Sequence, residues 1–255
     1  QNKIIIGDFY ADYGFGSLLW KQFPVRKGSD IISPILKKGS GISAYRSTID
    51  FAYFRGISSQ TNFNLSDDFS IRLSGFYSAR KKSSTIDYDK NQVTSMYLSG
   101  YYRTESEIEK KDNLFEKAIS GNIELSSNFG LIFGATVLTL DYSLPINTNS
   151  SSQFSGKNGN LFSTYSQYRF SNNMIGAELS FDANSNKFIN LGFVHSVENF
   201  DLAISTRYID ENFRSPYGYF FGELSYPTNE KGIYTGINYK FNKKINLALY
   251  SDIYS

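Results

Sequence analysis

Residues 174–182 read Met174-Ile175-Gly176-Ala177-Glu178-Leu179-Ser180-Phe181-Asp182. Ile175, Ala177, Leu179 and Phe181 take one parity, while Gly176, Glu178, Ser180 and Asp182 take the other. That is the period of a strand with one apolar and one polar face. The same period recurs on both sides of this stretch. In 69–80, Phe69, Ile71, Leu73, Gly75, Tyr77 and Ala79 oppose Ser70, Arg72, Ser74, Ser78 and Arg80, with Phe76 as the exception. In 115–126, Phe115, Ile119, Ile123 and Leu125 oppose Glu116, Ser120, Asn122, Glu124 and Ser126, broken by Lys117. In 199–209, Phe200, Leu202, Ile204 and Tyr208 oppose Asp201, Ser205 and Arg207. Further strands are expected over 3–10, 51–65, 129–142, 160–170, 188–197, 232–241 and 244–253.

Composition narrows the classes. The 255 residues contain no Cys, which excludes disulfides, thiolate metal sites and a Cys nucleophile. A single histidine, His195, excludes multi-histidine zinc sites, and no cofactor is expected. A net charge of +2 gives no reason to expect a nucleic-acid partner. Mean hydropathy of −0.34 suits a soluble protein, yet 22 Phe, 20 Tyr and 1 Trp are too many for a disordered chain. Sorting residues by parity resolves the conflict, because the average hides one apolar face. No run approaches the roughly 18 apolar residues of a transmembrane helix.

Period two alone does not say which face meets water. Strand length favours the membrane: these segments match the roughly 9–11 residues of a tilted membrane strand and exceed the usual soluble mode of about 5–6. Connections alternate too, with short links near 66–68, 127–128, 171–173, 198–199 and 242–244 and longer ones over 81–114, 143–159, 184–187 and 210–230. That alternation holds if the strand-like pieces 92–102 and 217–226 belong to loops. The expected fold is all-β, an antiparallel up-and-down transmembrane β-barrel of about 10–12 strands with long loops on one side. Phe69, Tyr77, Phe129, Phe170, Phe181, Phe200, Tyr208, Tyr239 and Phe241 are expected in two interfacial girdles. Residues 1–255 read as one barrel domain, opening at Gln1 without a Met and expected to be a truncated piece that needs a partner strand for an even count.

Several short runs bear a resemblance. Gly7-Asp8-Phe9, Tyr13-Gly14-Phe15-Gly16, Leu19-Trp20, Arg55-Gly56, the loop 103–111, Asn229-Glu230-Lys231-Gly232-Ile233-Tyr234 and Asp252 resemble the barrel region of outer-membrane proteins that follow helix-hairpin-helix repeats in Bacteroidota-type bacteria. That family usually has Gly-Gln-Gly where this chain has Gly14-Phe15-Gly16. The helix-hairpin-helix part, which carries the family's implied DNA contact, is absent from this sequence. The resemblance implies a bacterial outer-membrane location and no nucleic-acid contact for this stretch.

Candidate chemistry is sparse. Arg72, Arg80, Glu116, Glu124, Glu178, Asp182, Asp201 and Arg207 share the polar parity and are expected to line a lumen, with Glu178/Asp182 and Asp201/Arg207 as neighbouring charges. In 103–112, Thr104 and Glu107 have capping-box spacing, so a short helix is expected with Glu105 and Glu109 on one face. Arg103, Glu105, Glu107 and Glu109 are thus weak ligand candidates, as are Arg214, Tyr217 and Tyr219 in the aromatic loop 210–230, which also holds Tyr226. Segment 11–48 carries Lys21, Arg26, Lys27, Lys37, Lys38 and Arg46 without strand alternation after Trp20, and reads as a lumen plug or a surface loop. His195 lies on the apolar parity, where Asn190 or Asn199 could orient it; Ser196 points to the opposite face and is not its direct partner.

Three functions follow. The first is a non-enzymatic outer-membrane barrel for passage or anchoring, with membrane lipid, lipopolysaccharide and an envelope protein as partners. The second is a surface hydrolase acting on lipid or peptide, and the third a soluble β-sandwich or barrel binding carbohydrate.

Overall fold

The computed structural model describes residues 2–20, 27–47, 53–148, 153–223, 227–242 and 244–255. Lys21, Arg26 and Tyr226, named above, lie outside the described residues. The described chain is almost entirely β. Its long strands are β1 (Lys3–Asp12), β3 (Phe54–Asn64), β4 (Phe69–Lys82), β7 (Leu114–Ser127), β8 (Leu131–Ile146), β9 (Gly156–Phe170), β10 (Asn173–Asp182), β11 (Lys187–Val197), β12 (Phe200–Ile209), β13 (Glu230–Lys240) and β14 (Asn246–Tyr254). Three short strands accompany them: β2 (Gly41–Ala44), β5 (Ser84–Asp87) and β6 (Gln92–Met96), with one helical turn, α1 (Glu105–Ile108).

The sheet runs in order β14-β13-β12-β11-β10-β9-β8-β7-β4-β3-β1-β2, and each step is antiparallel. Consecutive long strands are neighbours, as an up-and-down topology requires. The hairpin β5–β6 stands off this path and touches β8 through one bridge, Val93 to Ile146. The strand-like piece at 92–102 therefore belongs to a loop, as its length pattern indicated. β1 and β14 run in the same direction, and among the described residues no hydrogen-bonded pairing joins them. β2 corrects one expectation, because Gly41–Ala44 forms a strand against Phe9–Asp12 inside the segment read as having none.

Turn chemistry sets the short side. β9 and β10 are joined by Ser171 and Asn172 alone, with Ser171 at φ 47. Between β7 and β8, Gly130 sits at φ 95, where a Cβ would lie 2.4 Å from the Arg169 carbonyl oxygen. Only glycine fits that position without displacing the neighbouring turn.

Burial is inverted relative to a soluble sheet. The polar parity faces inward and is covered: Glu116 is 0% exposed and Arg207 3%. The apolar parity faces outward and is bare, with Ile119 53% exposed and Val137 51%. Leu73, Ile123, Ile175, Leu191, Ile204 and Ile233 continue this exposed band from β4 to β13. Charged residues are rarely this buried and aliphatic ones rarely this bare on a soluble domain. Phe76, the exception to its strand's pattern, lies on the inner face and is buried with its ring 5.3 Å from Phe9 and 4.6 Å from Phe54.

Rings flank the apolar band. At the short-turn end Phe69 meets Phe129 at 5.5 Å, Tyr168 meets Phe170 at 5.3 Å, and Tyr239 meets Phe241 at 4.8 Å. At the long-loop end Tyr45 lies 4.8 Å from Tyr10 and 4.9 Å from Tyr53, while Lys187 and Lys231 both cover Tyr208. Tyr77 departs from the girdle expectation. It stands in mid-strand between Ile57 and Ile119.

Candidate functional site

The described residues between β1 and β2, 13–20 and 27–40, lie on the inner side of the sheet. Its seat is made by glycines that fall on the inward parity. Gly176 and Gly192 face one another across β10 and β11, and a Cβ on Gly176 would lie 2.6 Å from Phe15 Cζ and 2.5 Å from Leu36 Cδ2. A Cβ on Gly192 would lie 2.5 Å from Ile35 Cγ2, and one on Gly236 would lie 2.7 Å from Ile31 Cβ. Missing side chains on the strands thus receive Phe15, Ile31, Ile35 and Leu36, each nearly fully buried.

Polar contacts fix the same segment. Glu178 accepts from Ser17 Oγ at 2.7 Å, Ser163 Oγ at 2.9 Å, and the backbone N–H groups of Phe15 and Ser17 at 3.2 and 3.3 Å. A buried carboxylate satisfied by four donors is far less costly than a bare one. Lys37, also buried, donates to the Tyr219 carbonyl and lies 4.7 Å from the Trp20 ring centre. Asn190 Nδ2 donates to the Ile35 carbonyl at 3.2 Å.

Burial pushes the Lys37 ammonium down to about 8, although Glu178 and Asp12 pull the other way. Its ordinary value is 10.5, so between the two the unfolded chain binds more protons. Stability contributed at this position therefore rises with pH across that window and levels off above it. Replacement by methionine should flatten the rise, about 3 kcal/mol, when urea midpoints are compared from pH 7.5 to 11. An unchanged slope would remove Lys37 as its source.

Three charge clusters complete the interior. Arg207 donates to both oxygens of Asp252, at 2.8 and 3.0 Å, and to Glu230 at 2.5 Å, while Lys27 pairs with Asp252 at 2.6 Å and with Glu223. Glu116 accepts from Lys82 at 3.3 Å and from the Tyr217 hydroxyl at 2.5 Å. Glu124 accepts from Arg72 at 2.8 Å and from the Tyr165 hydroxyl at 2.9 Å.

These contacts redraw the expected pairs. Glu178 does not engage Asp182, which instead caps the β10–β11 turn by accepting from Asn184 N and from Asn186 N and Nδ2. Asp201 binds Asn238 at 2.9 Å and not Arg207. Arg80 is buried and donates to the Tyr53 carbonyl at the long-loop end. Tyr217 reaches inward to Glu116, Tyr219 offers its carbonyl to Lys37, and Arg214 donates to the carbonyls of Glu211 and Phe213. Loop 210–223 therefore packs against the barrel mouth, with Phe220 4.5 Å from Phe188 and Phe221 5.2 Å from Tyr234. Arg103, Glu105, Glu107 and Glu109 stand apart from this interior. Thr104 and Glu107 close the capping box, and the Arg103–Glu107 pair is 3.7 Å apart at the surface.

Among the described residues no cluster of His, Asp and Glu has the makings of a metal site. His195 Nδ1 lies 2.9 Å from Asn173 Oδ1, so its orienting partner is Asn173. Asn190, one of the two expected partners, is committed to Ile35 and Ser205. Lys27 and Lys37 belong to the segment read as a lumen plug or a surface loop, whereas Ser17, Glu230 and Asp252 were not singled out as interior contacts. The glycines gave a legible signal, since Gly176 interrupts the polar parity of its strand.

The chain matches no protein-family model, and a search of curated proteins finds no match for it.

Proposed function

We propose that this chain is the membrane-spanning β-barrel region of a bacterial outer-membrane protein, non-enzymatic, with its lumen occupied by the segment between β1 and β2. The carrying observation is the inverted burial: charges inside, aliphatic residues outside, rings at both rims. A soluble carbohydrate-binding sheet would turn the Ile119, Ile123 and Val137 face inward. The filled interior favours anchoring, or passage only after the inner segment moves, over an open pore. Lipid and lipopolysaccharide are the partners such a face implies, beside an envelope protein. The resemblance to the barrels that follow helix-hairpin-helix repeats belongs to the same proposal.

Arginine scanning separates the membrane reading from the soluble one. Ile123→Arg or Val137→Arg places a charge at the middle of the band, at a cost of about 2–4 kcal/mol at a bilayer midplane. Insertion of the refolded variants into phosphatidylcholine vesicles, read by protection from trypsin, should fall sharply. In a soluble sheet the same exposed sites would accept arginine within about 0.5 kcal/mol. Variants that stay folded and monomeric in detergent-free buffer, as would the unsubstituted chain, would sink the proposal.

A further inference from the structure

Two openings adjoin one another along β3, β4 and β7, the first on the outer face and the second at the long-loop end, where outward Lys81 and inward Arg80 and Lys82 both reach it. The first is an apolar concavity of about 780 Å³ lined by Ile57, Leu73, Tyr77, Ile123 and Val137. It exists because Gly75 and Gly121 face each other across β4 and β7 and leave the outer surface without side chains there. A Cβ on Gly121 would meet Val137 Cγ2 at 3.6 Å, an ordinary contact, so the space is open and not merely crowded by glycine-only packing.

The second is a cavity of about 470 Å³ at the long-loop end of the same strands. Arg55, Arg80, Lys81, Lys82 and Lys111 line it against one carboxylate, Asp112. Arg55 is matched by Asp8 and Lys82 by Glu116, and Arg80 turns inward to the Tyr53 carbonyl, so exposed Lys81 and Lys111 face the single carboxylate of Asp112. Tyr97 and Tyr102 from the loop wall it, and Lys111 lies 5.0 Å from the Tyr102 ring centre.

Strand geometry makes the two openings one site. Arg55 is the next outward residue after Ile57 on β3, and Ala79 and Lys81 follow Tyr77 on β4. At about 3.3 Å per strand residue the floor of the cationic cavity begins within roughly 7 Å of the end of the groove. An acyl chain lying in the groove would deliver its headgroup to the lysines. Cations with tyrosines at the edge of an apolar band match the level of lipid phosphates.

We propose that the outer face of β3, β4 and β7 is a binding site for a lipid with a phosphate-bearing anionic headgroup, its acyl chain along Gly75 and Gly121 and its phosphate at Lys81 and Lys111. This rests on the membrane-spanning reading. The headgroup contributes charge complementarity and the groove contributes apolar contact, so the two contributions are separable by mutation.

The test uses the full chain refolded in a neutral detergent, with phosphatidylglycerol and phosphatidylcholine of identical acyl chains as probes, and counts bound lipid by native mass spectrometry. Phosphatidylglycerol should bind in preference to phosphatidylcholine by roughly tenfold. Lys81→Gln with Lys111→Gln, both at exposed positions, should erase that preference while leaving phosphatidylcholine binding unchanged. Gly121→Leu, which fills the groove from the outside, should weaken both lipids. Equal binding of the two lipids by the unsubstituted chain, or a preference that survives both variants, overturns the site. Vesicle insertion is scored separately: a chain that inserts without any lipid preference loses this site alone, and one that does not insert loses the membrane reading and this site together.

Discussion

Replacing Gly176 and Gly192 together by leucine will weaken the seat of the inner segment by about 2–6 kcal/mol and turn a silent insertion into one with intermittent openings. The two glycines form a single slot, and the side chains of Phe15, Ile35 and Leu36 already occupy the volume that two leucines would need. Overpacking of a well-filled interior costs about 1–3 kcal/mol per site, and departure of the segment relieves that cost, so the segment leaves its slot more often. Departure would forfeit the burial of Phe15, Ile31, Ile35 and Leu36, worth about 1.5–3 kcal/mol for each large apolar side chain. The strands themselves keep their hydrogen bonds, since leucine is a better strand residue than glycine. Single-channel recording in a planar bilayer should show little current from the unsubstituted chain and discrete openings from the double variant. Trypsin should at the same time gain access to Lys37, now buried. A double variant that remains silent although Lys37 has become cleavable would show that the segment does not occlude the lumen, and one in which Lys37 stays protected would show that the glycine slot does not seat it.

The second large effect is expected at Arg207. Its guanidinium is 1% exposed, lies 4.8 Å from the Phe221 ring centre, and satisfies two buried carboxylates that belong to β14 and the start of β13. Room for it comes from Gly232, where a Cβ would lie 2.4 Å from the guanidinium carbon. Arg207→Ala leaves Glu230 and Asp252 to share Lys27, and an uncompensated buried charge costs about 3–5 kcal/mol. Urea midpoints in detergent micelles should fall accordingly, and amide exchange along β14 should accelerate before that of β10, because β14 loses the Arg207–Asp252 pair that ties it to β12. Neutralising both carboxylates in the same background, with Glu230→Gln and Asp252→Asn, should restore most of the loss. A single variant within about 1 kcal/mol of the unsubstituted chain would mean that this cluster contributes position and not stability.

Strand existence and facing were legible in the sequence because they depend on neighbours two residues apart. The run around Glu178 needed nothing beyond its own alternation. The same locality leaves contacts between distant segments unread. Glu178 and Asp182 lie four residues apart on one strand, roughly 13 Å, so shared parity brings them to one face and not into contact. The true partner of Glu178, Ser17, is separated from it by 161 positions, and no local period encodes that meeting. The inner segment was hard to read for the same reason: its shape comes from slots on β10, β11 and β13 and not from a repeat of its own. In loop 210–230 the composition suits stacking on a ligand and packing on the strands equally well, and the choice depends on a contact 101 positions away, Tyr217 with Glu116. At Phe76 the broken pattern was itself informative, since an apolar residue on the polar parity marked the place on β4 where a ring joins Phe9 and Phe54 inside.

The opposed chemistry of the two faces also governs which changes in length the chain can absorb. One residue inserted within β10 ahead of Glu178 would carry that carboxylate to the outer band and bring Leu179 to Ser17. Two residues would restore the facing but slide Gly176 off Gly192 and close the slot. Between Ser171 and Asn172, or between Asp182 and Lys187, an added residue leaves both faces as they are. Within the strands, viable descendants of this sequence are therefore expected to vary by substitution, and to vary in length almost wholly at the turns and loops.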